Sequence, residues 1–194
     1  ATTELDFSAW DSVALSQDGG TQTFTDICGN LDVTVTAHGE FDTQSYFITT
    51  LAGGMNAIST SHEPGTASNS HSFTFDFSES VDLIVETLSL DSLEEYIITS
   101  NTIGAYSNLE GAMPTITNTP GQSQLVGTGT GPDLVTGASD GQTAVNGSSI
   151  SVTYNGQPGN FAKYGSFRLL KTVPEPNSAA LLVVGVLALF RRRR

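Results

Sequence analysis

The sequence predicts an all-β chain, a single antiparallel β-sandwich of jelly-roll type, followed by one C-terminal hydrophobic helix. Three observations predict it. Apolar residues recur with period two rather than 3.6. About ten short candidate strands carry Thr-rich faces and are divided by Gly, Pro, Asn and Ser. No long amphipathic stretch precedes the apolar run near the C-terminus, which leaves packed sheets as the architecture.

In chain order, Leu5, Phe7 and Ala9 alternate with acidic and hydroxyl residues, and Trp10 sits one step off that register, on the opposite and wetter face. Thr21 to Ile27 is the next candidate. Leu31, Val33, Val35 and Ala37 alternate, then Ser45 to Leu51, then Phe73, Phe75 and Phe77. Val81 to Leu90 reads as a further strand, followed by a short helix over Ser92 to Tyr96 with Asp91 as its cap and Glu94 at the capping-box position. Tyr96 to Thr102, Gln124 to Gly127, then Ile150, Val152 and Tyr154, and finally Tyr164 to Leu170 complete the strands. Gly53 to Ser72 and Gly111 to Ser149 read as long exposed loops, the second holding one or two edge strands. Residues 1–172 form one extracytoplasmic domain, long enough for an ordinary core, and residues 173–194 form a tail.

Charge narrows the function classes. Lys163, Arg168 and Lys171 are the only basic side chains before the tail, against 19 Asp and Glu, a net of 3 − 19 = −16 for residues 1–172. Phosphate backbones need clustered cations, so nucleic acid is excluded as a partner. An acidic surface of this kind stays soluble and collects divalent cations. Cys28 is the one cysteine, so no intramolecular disulfide forms, and beside Gly29 it reads as a small buried hydrophobe.

Chemistry is sparse in the remaining residues. Zinc would need His38, His62 and His71 to converge with Glu40 or Glu63, and no two of the histidines have helical zinc spacing, so they read as exposed loop residues. Asp76, Glu79 and Asp82, and then Asp91, Glu94 and Glu95, flank a strand and are candidate calcium ligands. The glycine-rich segment ending at Asp133 and Leu134 contains Pro132 and reads as a loop. No phosphate-cradling glycine loop precedes a helix, and nothing singles out an acid and base pair among the carboxylates, so the chain does not read as an enzyme. For sugar binding the available rings are Trp10, Tyr46, Tyr106, Tyr154 and Tyr164, with Trp10 the candidate glycan platform.

The tail is the sharpest signal. Pro174-Glu175-Pro176 precedes an uncharged run from Ala179 to Phe190, in which Ala179, Leu181, Leu182, Val183, Val184, Gly185, Val186, Leu187, Leu189 and Phe190 form the membrane anchor. Its twelve residues make ~18 Å of helix, short of the ~30 Å hydrocarbon core. Reaching back to Pro174 and snorkelling by Arg191, Arg192, Arg193 and Arg194 lengthens the span, and the arginines hold that end on the cytoplasmic side as a stop-transfer signal. The chain begins at Ala1 without a basic or apolar leader, as expected of an exported chain whose signal peptide has been removed.

These three parts in this order resemble the PEP-CTERM sorting signal of exported bacterial proteins. The resemblance implies an exopolysaccharide-producing Gram-negative host and a partner, a membrane protease-transpeptidase of the exosortase type, for which Pro174, Glu175 and Pro176 are the recognition and cleavage signal. It also implies tethering at the inner membrane before processing, then release to the cell surface or extracellular matrix. It says nothing about the activity of the body. The expectation is therefore an exported surface or exopolysaccharide-matrix structural protein, with a calcium-assisted carbohydrate-binding module that meets extracellular polysaccharide as the alternative and a secreted hydrolase third.

Overall fold

Alternation becomes strand here because branched and aromatic side chains at every second position fill one face of a pleated ribbon while Thr and Ser wet the other. The computed structural model describes residues 1–39, 45–51, 55–62, 70–92, 94–128, 138–156 and 163–173. Among them, twelve strands form one large antiparallel sheet. They are β1 (Thr2–Glu4), β2 (Thr21–Phe24), β3 (Val33–Gly39), β4 (Ser45–Leu51), β5 (Met55–His62), β6 (Ser70–Leu90), β7 (Glu94–Thr99), β8 (Thr102–Glu110), β9 (Thr115–Thr119), β10 (Gln122–Val126), β11 (Ser139–Gly156) and β12 (Lys163–Thr172).

The spine is the β6 and β11 pair, which runs from Ser139 opposite Leu90 to Asn155 opposite Ser70. Each spine strand changes its second neighbour halfway. β6 meets β3 through His71 to Phe77 and β12 through Leu83 to Leu88. β11 meets β8 through Asp140 to Asn146 and β7 through Ser151 to Gly156. The exchange coincides with a register shift between Gly147 and Ser149, where an irregular ladder bends both strands. From the spine the sheet continues through β7 and β10 to β9 on one side, and through β12 and β5 to β4 on the other.

The core lies along the inward face of both halves. Val35, Phe73, Phe75, Ile98, Leu125, Ile150, Val152, Leu83 and Val85 are all buried. Contacts run between the halves: the Phe167 ring of β12 lies 6.2 Å from Phe73 and 6.0 Å from Phe75 of β6. The Tyr96 hydroxyl of β7 donates to the Ser166 carbonyl of β12 at 3.0 Å. Each fully buried aromatic of this kind contributes roughly 1.5–3 kcal/mol.

Several expectations change. Leu5 and Phe7 are buried, but the strand ends at Glu4 and Ser8–Ala9 form a turn closed by the Trp10 N–H to the Phe7 carbonyl at 3.0 Å. Phe73 to Phe77 and Val81 to Leu90 belong to one continuous strand, β6. The expected loop over Gly53 to Ser72 contains β5, and that over Gly111 to Ser149 contains β9, β10 and half of β11. No helix forms at Ser92 to Tyr96. The capping-box bond is nonetheless made, with the Asp91 N–H donating to Glu94 Oε2 at 2.9 Å, and it closes a tight turn into β7. The single helical turn among the described residues is a 3-10 turn at Ala14–Ser16. No helix of the described residues is long and apolar enough to cross a membrane, and the expected C-terminal helix lies outside them.

Candidate functional site

Trp10 is the first candidate to move. It is 8% exposed. The turn at Ser8 and Ala9 rotates the chain so that residue 10, rather than residue 9, follows residues 5 and 7 into the core. There the indole meets Phe73 edge-on at 5.2 Å and Phe7 edge-on at 6.0 Å, and stacks on Phe24 at 6.2 Å, the offset and edge geometries that aromatic quadrupoles favour. The glycan-platform expectation for Trp10 is overturned by this burial. Tyr154 is buried as well, and Tyr106 is half-buried over Gly141, where a Cβ would collide with its ring. The Tyr46 and Tyr164 side chains lie outside the described residues.

The two acidic groups are separated and differently employed. Asp76 and Asp82 stand exposed on either side of the β6 bend, with Asp76 accepting the Ser149 hydroxyl at 2.6 Å and Asp82 accepting the Asn146 amide at 2.8 Å. Glu79 is exposed between them. Glu95 belongs to the other group and bonds Asn155, six residues along β11 from Ser149, or ~20 Å at strand rise. Among the described residues no three His, Cys, Asp or Glu side chains come together as a metal-holding group. The calcium expectation for these six residues therefore finds no assembled site.

Buried polar chemistry collects instead where β7, β11 and β12 meet. Glu94 is buried and accepts the Tyr154 hydroxyl at 2.9 Å. Burial first, and the Glu94 charge second, push the Tyr154 and Tyr96 phenols far above their ordinary range, so both remain protonated donors. His71, expected in an exposed loop, is buried on β6 with its ring 5.7 Å from Tyr154. His38 is exposed on β3, the His62 side chain lies outside the described residues, and Cys28 is half-buried against the core. Arg168 of β12 pairs with the buried Glu86 of β6 and lies 3.9 Å from Glu4. Both groups bind structure together.

Sequence reasoning missed one further feature. Asp140 accepts the Ser89 N–H at 2.7 Å, holding Ser89 at φ +56°, and burial followed by the nearby Glu110 and Glu86 charges raises its carboxyl above the usual range. A non-glycine residue at positive φ needs such support. Its signal was the mismatch in register between Ser139 and Gly141, which no sequence pattern announces. The sorting residues Pro174 to Pro176, the anchor and the four arginines all lie outside the described residues.

Comparison with known proteins supplies the rest. Residues 172–194 match the PEP-CTERM protein-sorting motif, so the tail carries that signal, as its residues suggested. The motif marks a surface protein of the exosortase-targeted kind, exported and processed. No curated protein matches the chain. Among solved structures, it is similar to the N-terminal domain of the Streptococcus gordonii adhesin Sgo0707, with a TM-score of 0.54 and 12% identity. The match covers 90% of this chain and 53% of that one, so the chain spans about half of the solved adhesin domain. At that identity the likeness concerns the fold alone.

Proposed function

We propose that this chain is a structural protein of the cell surface or of an exopolysaccharide matrix, without catalytic activity, delivered and processed through its C-terminal signal. The sorting motif over residues 172–194 carries the reading. In it the tail tethers the exported chain at the inner membrane, an exosortase acts near Pro174 to Pro176, and the acidic β domain is released to the surface. The body in this reading is a two-layer sandwich, the halves of the sheet folding over each other at the β6 and β11 bend. The Phe167 contacts with Phe73 and Phe75 support that arrangement.

Expression in an exosortase-bearing Gram-negative host tests the proposal. The chain should reach the surface fraction in processed form, and Pro174→Ala with Pro176→Ala should leave it unprocessed at the membrane. Equal processing of both would end the reading. A second reading, adhesion to a surface carbohydrate, draws on the fold likeness to the adhesin domain. It requires a binding face other than Trp10, and retention on polysaccharide that survives Trp10→Phe would favour it.

A further inference from the structure

We infer that the outer edge of β9 is a self-pairing surface, on which a second copy of this chain docks antiparallel about a two-fold axis at Thr117. The hydrogen bonds fix which backbone groups are available. The Ser100 N–H donates to the Gly121 carbonyl and the Gly127 N–H donates to the Glu94 carbonyl, so the odd-numbered residues of β10 turn their backbone toward β7. Alternate residues of an antiparallel strand face its other neighbour, which sets Gln122, Gln124 and Val126 against β9. Their partners there are Thr119, Thr117 and Thr115. The N–H and C=O of Ile116 and Asn118 therefore point away from β10, and among the described residues no strand pairs with that side.

Natural edge strands are shielded by charge, proline or a bulge. Within Thr115–Thr119 β9 has none of these, its two prolines standing just outside the strand at Pro114 and Pro120: its register with β10 is unbroken, and no charged side chain lies between Glu110 and Asp133. Two other edges are managed. β8 meets β11 through two register shifts, and β2 is tied to the preceding segment by Gln22, whose side chain bonds Ala9 at 2.7 Å and Asp11 at 2.8 Å.

Charge selects the occupant. Residues 1–172 carry 3 − 19 = −16, so two copies repel wherever charged faces meet, and a copy can approach only through a neutral surface. The β9–β10 hairpin is such a surface, and its edge is nearly palindromic, Thr115-Ile116-Thr117-Asn118-Thr119. Pairing about Thr117 sets Thr115 opposite Thr119, and sets each Ile116 opposite the Asn118 of the other copy, where both exchange N–H and C=O. Such a contact falls well below the ~1,200 Å² of a stable complex. Pairing is thus weak in dilute solution, favoured where copies are held side by side, and strengthened by salt that screens the repulsion.

Disulfide trapping in the full chain, purified in detergent with Cys28→Ala removing the native thiol, reads the contact directly. Thr117→Cys places two thiols across the axis at a non-hydrogen-bonded site, with Cα atoms ~4.5 Å apart and within disulfide reach. Under copper phenanthroline and dioxygen, a covalent dimer should form from Thr117→Cys, increase with salt, and not form from Ser107→Cys on β8. Adding Asn118→Pro removes the outward N–H but spares the β10 ladder, and should cut the dimer about ten-fold or more, with the circular dichroism unchanged. No dimer from Thr117→Cys, equal dimer from Ser107→Cys, or trapping indifferent to Asn118→Pro overturns the inference.

Discussion

Replacing Trp10 with alanine separates a core tryptophan from a binding platform. The indole is 8% exposed and touches three rings, Phe7, Phe24 and Phe73. Truncating a buried aromatic to alanine costs ~3–5 kcal/mol, through lost transfer energy and the cavity left behind. Three ring contacts place Trp10 near the middle of that range, at about 4 kcal/mol. In a domain of this size each kcal/mol moves Tm by ~2–4 °C, so Trp10→Ala should lower Tm by about 8–16 °C. Thermal and urea denaturation of the purified protein, followed by near-ultraviolet circular dichroism, measures both quantities. Trp10→Phe keeps a ring in the cluster and should recover more than half of the loss. A Tm within about 3 °C of the parent, together with loss of polysaccharide retention, would refute the reasoning, because removing a surface ring affects binding and leaves stability intact.

Three further predictions follow from single contacts. Arg168→Ala leaves Glu86 buried without its cation and should cost ~3–5 kcal/mol, while Arg168→Ala combined with Glu86→Gln should cost clearly less; a double-mutant cycle by urea denaturation reads the coupling. Gly111 sits at φ +80° with the Ala138 carbonyl oxygen where a Cβ would stand, so Gly111→Ala should destabilise by about 2 kcal/mol or more in the same assay. Asp140→Asn retains an acceptor for the Ser89 N–H and removes a carboxyl whose folded pKa is raised. The folded state binds that proton more tightly, so the parent loses stability as pH rises from the unfolded value through the folded one. The variant should therefore exceed the parent at pH 7, by less than ~1 kcal/mol because the group is half-exposed, and the difference should vanish at acid pH.

The parts of the fold legible in the sequence are those where neighbouring residues alone decide the outcome. Val33, Val35 and Ala37, the Phe73 to Phe77 ladder, and Ile150 to Tyr154 alternate on one-sided faces, and all form strands. Decisions made by distant partners were not legible. β5 has the Ser, Thr and Asn content of a loop, yet it buries Ala57, Ile58, Ser59 and Thr60 because β12 pairs with it more than a hundred residues on, where Ser59 and Ser166 bond at 2.8 Å. Trp10 was misplaced because alternation was carried through Ser8 and Ala9, where the backbone turns. Asp91 and Glu94 made their expected bond, but two backbone geometries share it and the strand prevailed. Carboxylate grouping was visible along the chain, whereas convergence depends on the sheet, which sets Glu95 beside Asn155 and Asp76 beside Ser149, at separate points along β11. The sorting motif was legible because its recognition rests on order and composition.

Mass spectrometry of the chain recovered from the surface fraction of an exosortase-bearing host, beside the same host lacking the exosortase, tests the central claim most directly. The account predicts a surface species cut near Pro174 to Pro176 that lacks Arg191 to Arg194, and a membrane-held intact chain in the host without the enzyme. An intact C-terminus at the surface of both hosts would contradict it.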